Sequence, residues 1–283
     1  MKRAIVSGGI VASILSLISP VQALQVLVTP ANPELGDTLS VIIQLDGSGG
    51  KTPTVSVQQK NYPAWTMGNN RFRALLPTTP LEKPGTRQIQ VAGDGKVQNL
   101  SVQVRSRNFP TQSITLPPGK DEEGTDAEFD RVDAFKALVT PQKFWNGPMT
   151  RPNSGEITTI YGVRRYYNGV FAQDYYHRGV DYAGAYGSPV VAPAAGRVSL
   201  VGRESQGFKI HGNVVGIDHG QGVASILMHL SRIDVKEGDF VQAGQVIGAL
   251  GSTGASTGPH LHWGLYVNGQ AIDPVPWRLV GVE

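Results

Sequence analysis

Through the first third of the chain, apolar and polar residues alternate in short runs. Leu24–Val28, Thr38–Leu45, Thr54–Gln59, Arg71–Leu76, Thr86–Ala92 and Val97–Arg105 each have strand character, and turn signals separate them. Alternation is strict in Arg87-Gln88-Ile89-Gln90-Val91 and in Leu100-Ser101-Val102-Gln103-Val104. Successive strand side chains point to opposite faces, so one face enters a core and the other meets water. About seven such strands predict an immunoglobulin-like β-sandwich over residues 24–105. No histidine falls there, so the module reads as a spacer or binding unit without chemistry.

The period then changes. Phe129, Val132, Phe135 and Val139 recur three and four residues apart, the single stripe of a helix over 126–139. Thr125 is placed to cap it, Glu128 completes a capping box, and Pro141 stops it. This helix sits in a connector, 106–155, and its stripe predicts packing against a domain. From Glu156 the pattern is β again and rich in glycine, predicting a second domain over 156–276 and a short tail over 277–283. Inside that domain Gly187-Ser188-Pro189-Val190-Val191-Ala192 resembles Gly238-Asp239-Phe240-Val241-Gln242-Ala243. An apolar strand follows each, which reads as a duplicated β-hairpin unit. The fold class expected is mainly β.

Composition changes this picture little: 40% apolar and 17% charged residues describe a globular chain of 283 residues, long enough for two domains. Residues 1–23 read as a secretory signal: Lys2 and Arg3, an apolar run from Ala4 to Ser19, Pro20, then Val21-Gln22-Ala23. The run falls short of the roughly 20 residues that span a bilayer. Cleavage, export to the periplasm or cell envelope, and no transmembrane anchor in the mature form are therefore expected. Losing Lys2 and Arg3 takes the formal charge from +3 to +1. With no dense basic tract, nucleic acid is not an expected partner. The absence of cysteine excludes disulfides and lipid attachment at cysteine.

All six histidines lie between His177 and His262. In a straight strand the ends of His177-Arg178-Gly179-Val180-Asp181 would stand roughly 13 Å apart. Gly179 permits the bend that would bring them together. His260 and His262, two apart, share a strand face, and His229 ends an apolar strand. A catalytic zinc takes three protein ligands and keeps a fourth position open. One more histidine could then move a proton, so the inventory fits hydrolysis. Spacing alone does not say which of His260 and His262 would bind metal.

The run from about Thr158 to Pro274 resembles the lysostaphin-type zinc endopeptidases that cut peptidoglycan peptides. The matching stretches are His177–Asp181, Gly187–Ala192, Met228-His229-Leu230-Ser231, Gly238–Gly248 and Gly251–Trp263. The resemblance implies a β-rich fold of duplicated hairpins with a groove over one zinc ion. It implies His177, Asp181 and His262 as metal ligands, and His229 and His260 as catalytic histidines. Many relatives carry tyrosine two residues before the His229 position, where this chain has Leu227. His219 is expected to be structural or in the cleft wall, and His211 to be an exposed turn residue. Arg164 and Arg165 are left between a groove role and exposed ion pairs.

Two other readings compete. Some relatives that have lost ligands regulate other cell-wall hydrolases, and a non-catalytic zinc-binding regulator is the alternative here. The full set of ligands and auxiliary histidines argues against it. A biotinyl- or lipoyl-type carrier would need a lysine on a hairpin tip, which neither repeat offers. Peptidoglycan is the expected partner, and the sequence leaves a regulatory protein partner open.

Overall fold

The computed structural model describes residues 24–46, 51–115 and 123–282, so the expected signal segment lies outside the described residues. The N-terminal module contains β1 (Gln25–Thr29), β2 (Thr38–Gln44), β3 (Thr54–Val57), β4 (Lys60–Tyr62), β5 (Ala64–Gly68), β6 (Arg71–Pro77), β7 (Gly85–Gly93) and β8 (Lys96–Val104). They form two four-stranded antiparallel sheets, β1-β2-β6-β5 and β4-β3-β7-β8. This is the strand partition of an immunoglobulin-type sandwich with β4 added beside β3. Alternation produces it: Ile89 and Val91 of β7 are buried, while Gln88 and Gln90 are exposed. Val41, Ile43 and Val55 meet them in the core.

The connector supplies β9 (Thr111–Ile114) and α1 (Asp126–Lys136). Thr125 caps the helix as expected, accepting from the Glu128 N–H. Three expectations need correction. The helix ends at Lys136, not 139, with Ala137 as its C-cap. The stripe is narrower, because Val132 and Phe135 are buried while Phe129 and Val139 are exposed. Phe135 meets the sheet where a glycine makes room: a Cβ on Gly216 would fall 2.7 Å from the Phe135 ring. The Glu128 carboxylate does not close a capping box, since backbone N–H groups at 209–211 claim it.

The second half contains β10 (Glu156–Thr159), β11 (Arg164–Tyr167), β12 (Val170–Phe171), β13 (Val180–Ala183), β14 (Pro189–Val191), β15 (Gly196–Gly202) and β16 (Val214–Gly220). There follow β17 (Val223–Met228), β18 (Leu230–Ile233), β19 (Phe240–Val241), β20 (Val246–Leu250), β21 (His260–Val267), β22 (Gln270–Ile272) and α2 (Pro274–Leu279). The main sheet runs β10-β13-β21-β17-β16-β15-β19, with β22 against β21. Every residue of β16 is buried, as befits a strand covered on both faces. The two look-alike stretches pair reciprocally: β14 with β20, and β15 with β19. Each copy thus completes the other.

Two boundaries are less clean than the sequence pattern implied. β9 of the connector joins β11 in parallel, placing Gln112 opposite Arg165. Residues 277–283 do not begin as a tail: α2 crosses residue 277, and Trp277 is 1% exposed. Its large apolar ring drives that burial, and its indole N–H donates to Thr38 Oγ1 at 3.2 Å. The sandwich also docks through Arg73 to Gln221, the Leu75 carbonyl to Asn268, and the Gly36 carbonyl to the Asp273 N–H. Asn268 follows the end of β21 opposite His260, about 23 Å along the strand.

Candidate metal centre

Asp181 lies in β13 and His262 in β21, and strand register sets them directly opposite each other. His177 precedes β13, and the chain bends at Gly179 to return it to Asp181. The bend runs so close to β21 that a Cβ on Gly179 would sit 2.8 Å from His262 Nε2 and overlap the Trp263 carbonyl oxygen. His177 Nε2 is consequently 2.9 Å from Asp181 Oδ1 and 3.0 Å from His262 Nδ1. His262 Nδ1 is 2.8 Å from the same carboxylate oxygen. All three residues are buried.

The donor chemistry fits zinc. His177 Nδ1 lies 2.8 Å from the Ile160 carbonyl, which can only accept. Nδ1 therefore carries the proton, and Nε2 turns a lone pair towards Asp181 and His262. Acceptors converge there, and a cation is what satisfies them. Tetrahedral zinc with bonds of 2.0–2.1 Å holds its ligand atoms about 3.3 Å apart, a few tenths of an ångström from the present spacing. Burial works to raise the Asp181 carboxyl, but positive charge and N–H donation from His177 and His262, with a proton standing where the cation would, outweigh it and hold it well below the usual range. Burial pushes the His262 imidazole down to about 4, against the pull of Asp181. Both are the deprotonated forms that bind metal.

His229 and His260 flank the cluster. His229 follows β17 with φ at +64°, in the left-handed region that glycine favours. Its Nδ1 is 2.8 Å from the Thr253 carbonyl, and His260 Nδ1 is 2.8 Å from the Gly258 carbonyl. These bonds leave Nε2 of each ring as the basic atom. The two ring centroids are 4.7 Å apart, and that of His229 is 6.4 Å from His262. Burial, then the neighbouring His260 and His262, hold His229 well below its ordinary pKa, so it is neutral at pH 7.

The remaining residues sort themselves by contact. His219 is fully buried on β16, between the Ala195 carbonyl and Ser225 Oγ, which also accepts from the Trp263 indole. That is a structural role. His211 is not an exposed turn residue: its side chain is 12% exposed, and its Nδ1 lies 2.6 Å from the buried Glu128 carboxylate. Arg164 donates to the Tyr175 and Gln173 carbonyls, tying down the 172–176 loop. Arg165 faces inward too, its Nη2 3.5 Å from Asp181 Oδ2, with Tyr167 and Gln112 holding the rest of the guanidinium. Leu227 is fully buried opposite Trp263 and brings nothing to the site.

Pattern reading left Arg165 between two roles, and it missed the burial of Glu128 against residues 209–211. For Glu128 a signal existed: with Val132 and Phe135 it occupies positions i, i+4 and i+7 of one helix face, so it points into protein.

Residues 175–274 match Peptidase family M23. A DD-carboxypeptidase/endopeptidase of Neisseria meningitidis is 46% identical over 99 residues, which are 35% of this chain and 22% of that protein. A peptidoglycan DD-endopeptidase of Vibrio cholerae is 42% identical over 98 residues, again 35% of this chain and 22% of its own length. The match thus spans about a fifth of either curated relative. The crystal structure of an M23 peptidase from Pseudomonas aeruginosa aligns with 87% of this chain and 94% of its own, at 28% identity and a TM-score of 0.64. The matched stretch holds the three converging donors and both flanking histidines, and the fold agrees beyond it: residues 175–274 are a domain of peptidase family M23.

Proposed function

We propose that the chain is an exported zinc metalloendopeptidase that hydrolyses peptide bonds in peptidoglycan cross-links or stem peptides. The observation that carries this is the convergence of His177 Nε2, Asp181 Oδ1 and His262 Nδ1, all buried, beside two histidines that are not part of it. Export rests on the signal-like pattern of residues 1–23, and the substrate class on the family motifs and on the curated relatives' names.

Zinc held by these three residues supplies Lewis acidity, polarising a carbonyl oxygen and acidifying water. The chain supplies the proton traffic. His229 and His260 have Nδ1 committed to backbone carbonyls, so each offers Nε2 as base and then as acid. With ring centroids 4.7 Å apart, burial and then the neighbouring His260 disfavour a second proton on His229. The pair therefore works as a one-proton relay: it accepts a proton from attacking water and returns it to the leaving amine. Arg165, against the outer oxygen of Asp181, helps fix that carboxylate with Oδ1 inward.

The test is digestion of purified peptidoglycan by the full chain, with and without chelator, followed by mass spectrometry of the fragments. Chelator-sensitive release of peptide-cleaved fragments is expected, and the fragments name the bond. Intact peptidoglycan after incubation with zinc-loaded protein would refute catalysis and favour a regulator of other hydrolases.

A further inference from the structure

The connector helix reaches the catalytic region through one buried carboxylate. Glu128 is 1% exposed, and among the described residues no lysine or arginine side chain is hydrogen-bonded to it. Its Oε2 accepts from the Lys209 N–H at 2.9 Å, and its Oε1 from the Ile210 and His211 N–H groups at 3.1 and 2.7 Å. His211 Nδ1 adds a contact at 2.6 Å. Thr125, at the start of the same helix, donates to the Gly207 carbonyl at 3.1 Å. The cap and first turn of α1 therefore pin the loop 207–211 at Gly207, Lys209, Ile210 and His211.

That loop holds His229. The His211 carbonyl accepts from the His229 N–H at 3.1 Å. The Ile210 carbonyl accepts from the Ala255 N–H at 3.1 Å, and Gly212 packs directly on Thr253. The Thr253 carbonyl is the partner of His229 Nδ1. Both groups that fix His229, one on its backbone and one on its ring, thus trace back to residues anchored by Glu128. The anchoring has work to do, because a non-glycine residue in the left-handed region stores about 1–3 kcal/mol and persists only where its surroundings over-determine it.

We propose that Glu128 is a positioning residue for His229, so that the connector completes the catalytic apparatus of the domain that follows it. This rests on the reading of His229 as a proton carrier. Glu128 touches none of the three metal-binding side chains, so its loss leaves metal binding alone and loosens the histidine. A misplacement of about 1 Å at a reacting group can cost on the order of 100-fold in rate.

The experiment compares the full-length protein with Glu128→Ala and Glu128→Gln. It measures zinc affinity by chelator competition, kcat and KM on solubilised peptidoglycan, and amide hydrogen exchange at 209–211 and His229. Expected for Glu128→Ala are a zinc affinity within about threefold of the parent, kcat lower by about 10–100-fold, and faster exchange at both places. Glu128→Gln keeps one acceptor oxygen and falls between. An unchanged kcat in folded, zinc-loaded Glu128→Ala would overturn the proposal and leave a stabilising role only. So would unchanged protection at His229. If Glu128→Ala does not fold, Glu128→Gln and Thr125→Val decide by the same readouts. If the parent protein retains zinc but cleaves nothing, the proposed function fails, and exchange at His229 still decides whether Glu128 positions it.

Discussion

Gly179 gives the sharpest test of how the metal centre is built. A methyl group there would lie 2.7 Å from the Trp263 carbonyl carbon and 2.8 Å from His262 Nε2, with the carbonyl oxygen nearer still. Ordinary van der Waals contact begins near 3.4 Å, so Gly179→Ala demands a displacement of at least 0.7 Å. Trp263 cannot supply it: it is fully buried and paired to Val180 on one side and Leu227 on the other. The start of β13 must move instead, carrying Asp181 with it and shifting His177. Zinc sites tolerate errors of about 0.2 Å in ligand distance. The expected result is a zinc affinity at least 10–100-fold weaker, the range seen when a support of a metal ligand is lost. Overpacking should also cost about 1–3 kcal/mol of stability in the metal-free protein. Competition with a chromogenic chelator reads the first quantity, and urea denaturation of chelator-treated protein the second. Zinc bound within threefold of the parent affinity would refute the argument that the bend at Gly179 brings the donors together.

Asp181→Ala and His262→Ala should each leave two donors and abolish stoichiometric zinc by elemental analysis, since a catalytic zinc takes three protein ligands; retained metal would remove that residue from the centre. His260→Ala should keep zinc and lose about 100- to 10,000-fold in kcat, the usual worth of a general acid–base group. Loss of metal in that variant would exchange the roles of His260 and His262. Burial holds His219 neutral with a pKa of about 4, so the unfolded chain takes up its proton first as pH falls below about 6.5. Its contribution is present above that pH and gone near pH 4, a loss of roughly 3 kcal/mol. Denaturation curves at pH 7 and pH 4.5 should show a shallower decline for His219→Gln, and an identical decline would count against the buried neutral form.

The parts of the fold legible in the sequence are those whose cause is local. Ile89 and Val91 are buried because their neighbours two apart are, and alternation announces that. The bend at Gly179 was legible for a related reason: a histidine and an aspartate four apart, with glycine between, have one way to meet. The cluster of His177, Asp181 and His262 was legible through family motifs and not through spacing. Nothing in His260-Leu261-His262 says which imidazole faces Asp181, because that is decided by the register of β21 against β13.

What was not legible depends on partners far along the chain. Trp277 reads as part of a tail until Thr38, 239 residues away, accepts its indole proton. His211 beside Gly212 reads as a surface turn until a carboxylate 83 positions earlier reaches it. Glu128 reads as half of a capping box because the local rule gives it a local partner, the Thr125 N–H. It takes the distant ones instead. A carboxylate buried to 1% needs several donors at once, and a single backbone N–H at a helix start cannot meet that need. Three successive N–H groups and an imidazole can. The same competition explains why the connector is ordered against the second half of the molecule at 125–135. Burial of Val132 and Phe135 brings the helix to the sheet, and Glu128 fixes which loop beside His229 it meets.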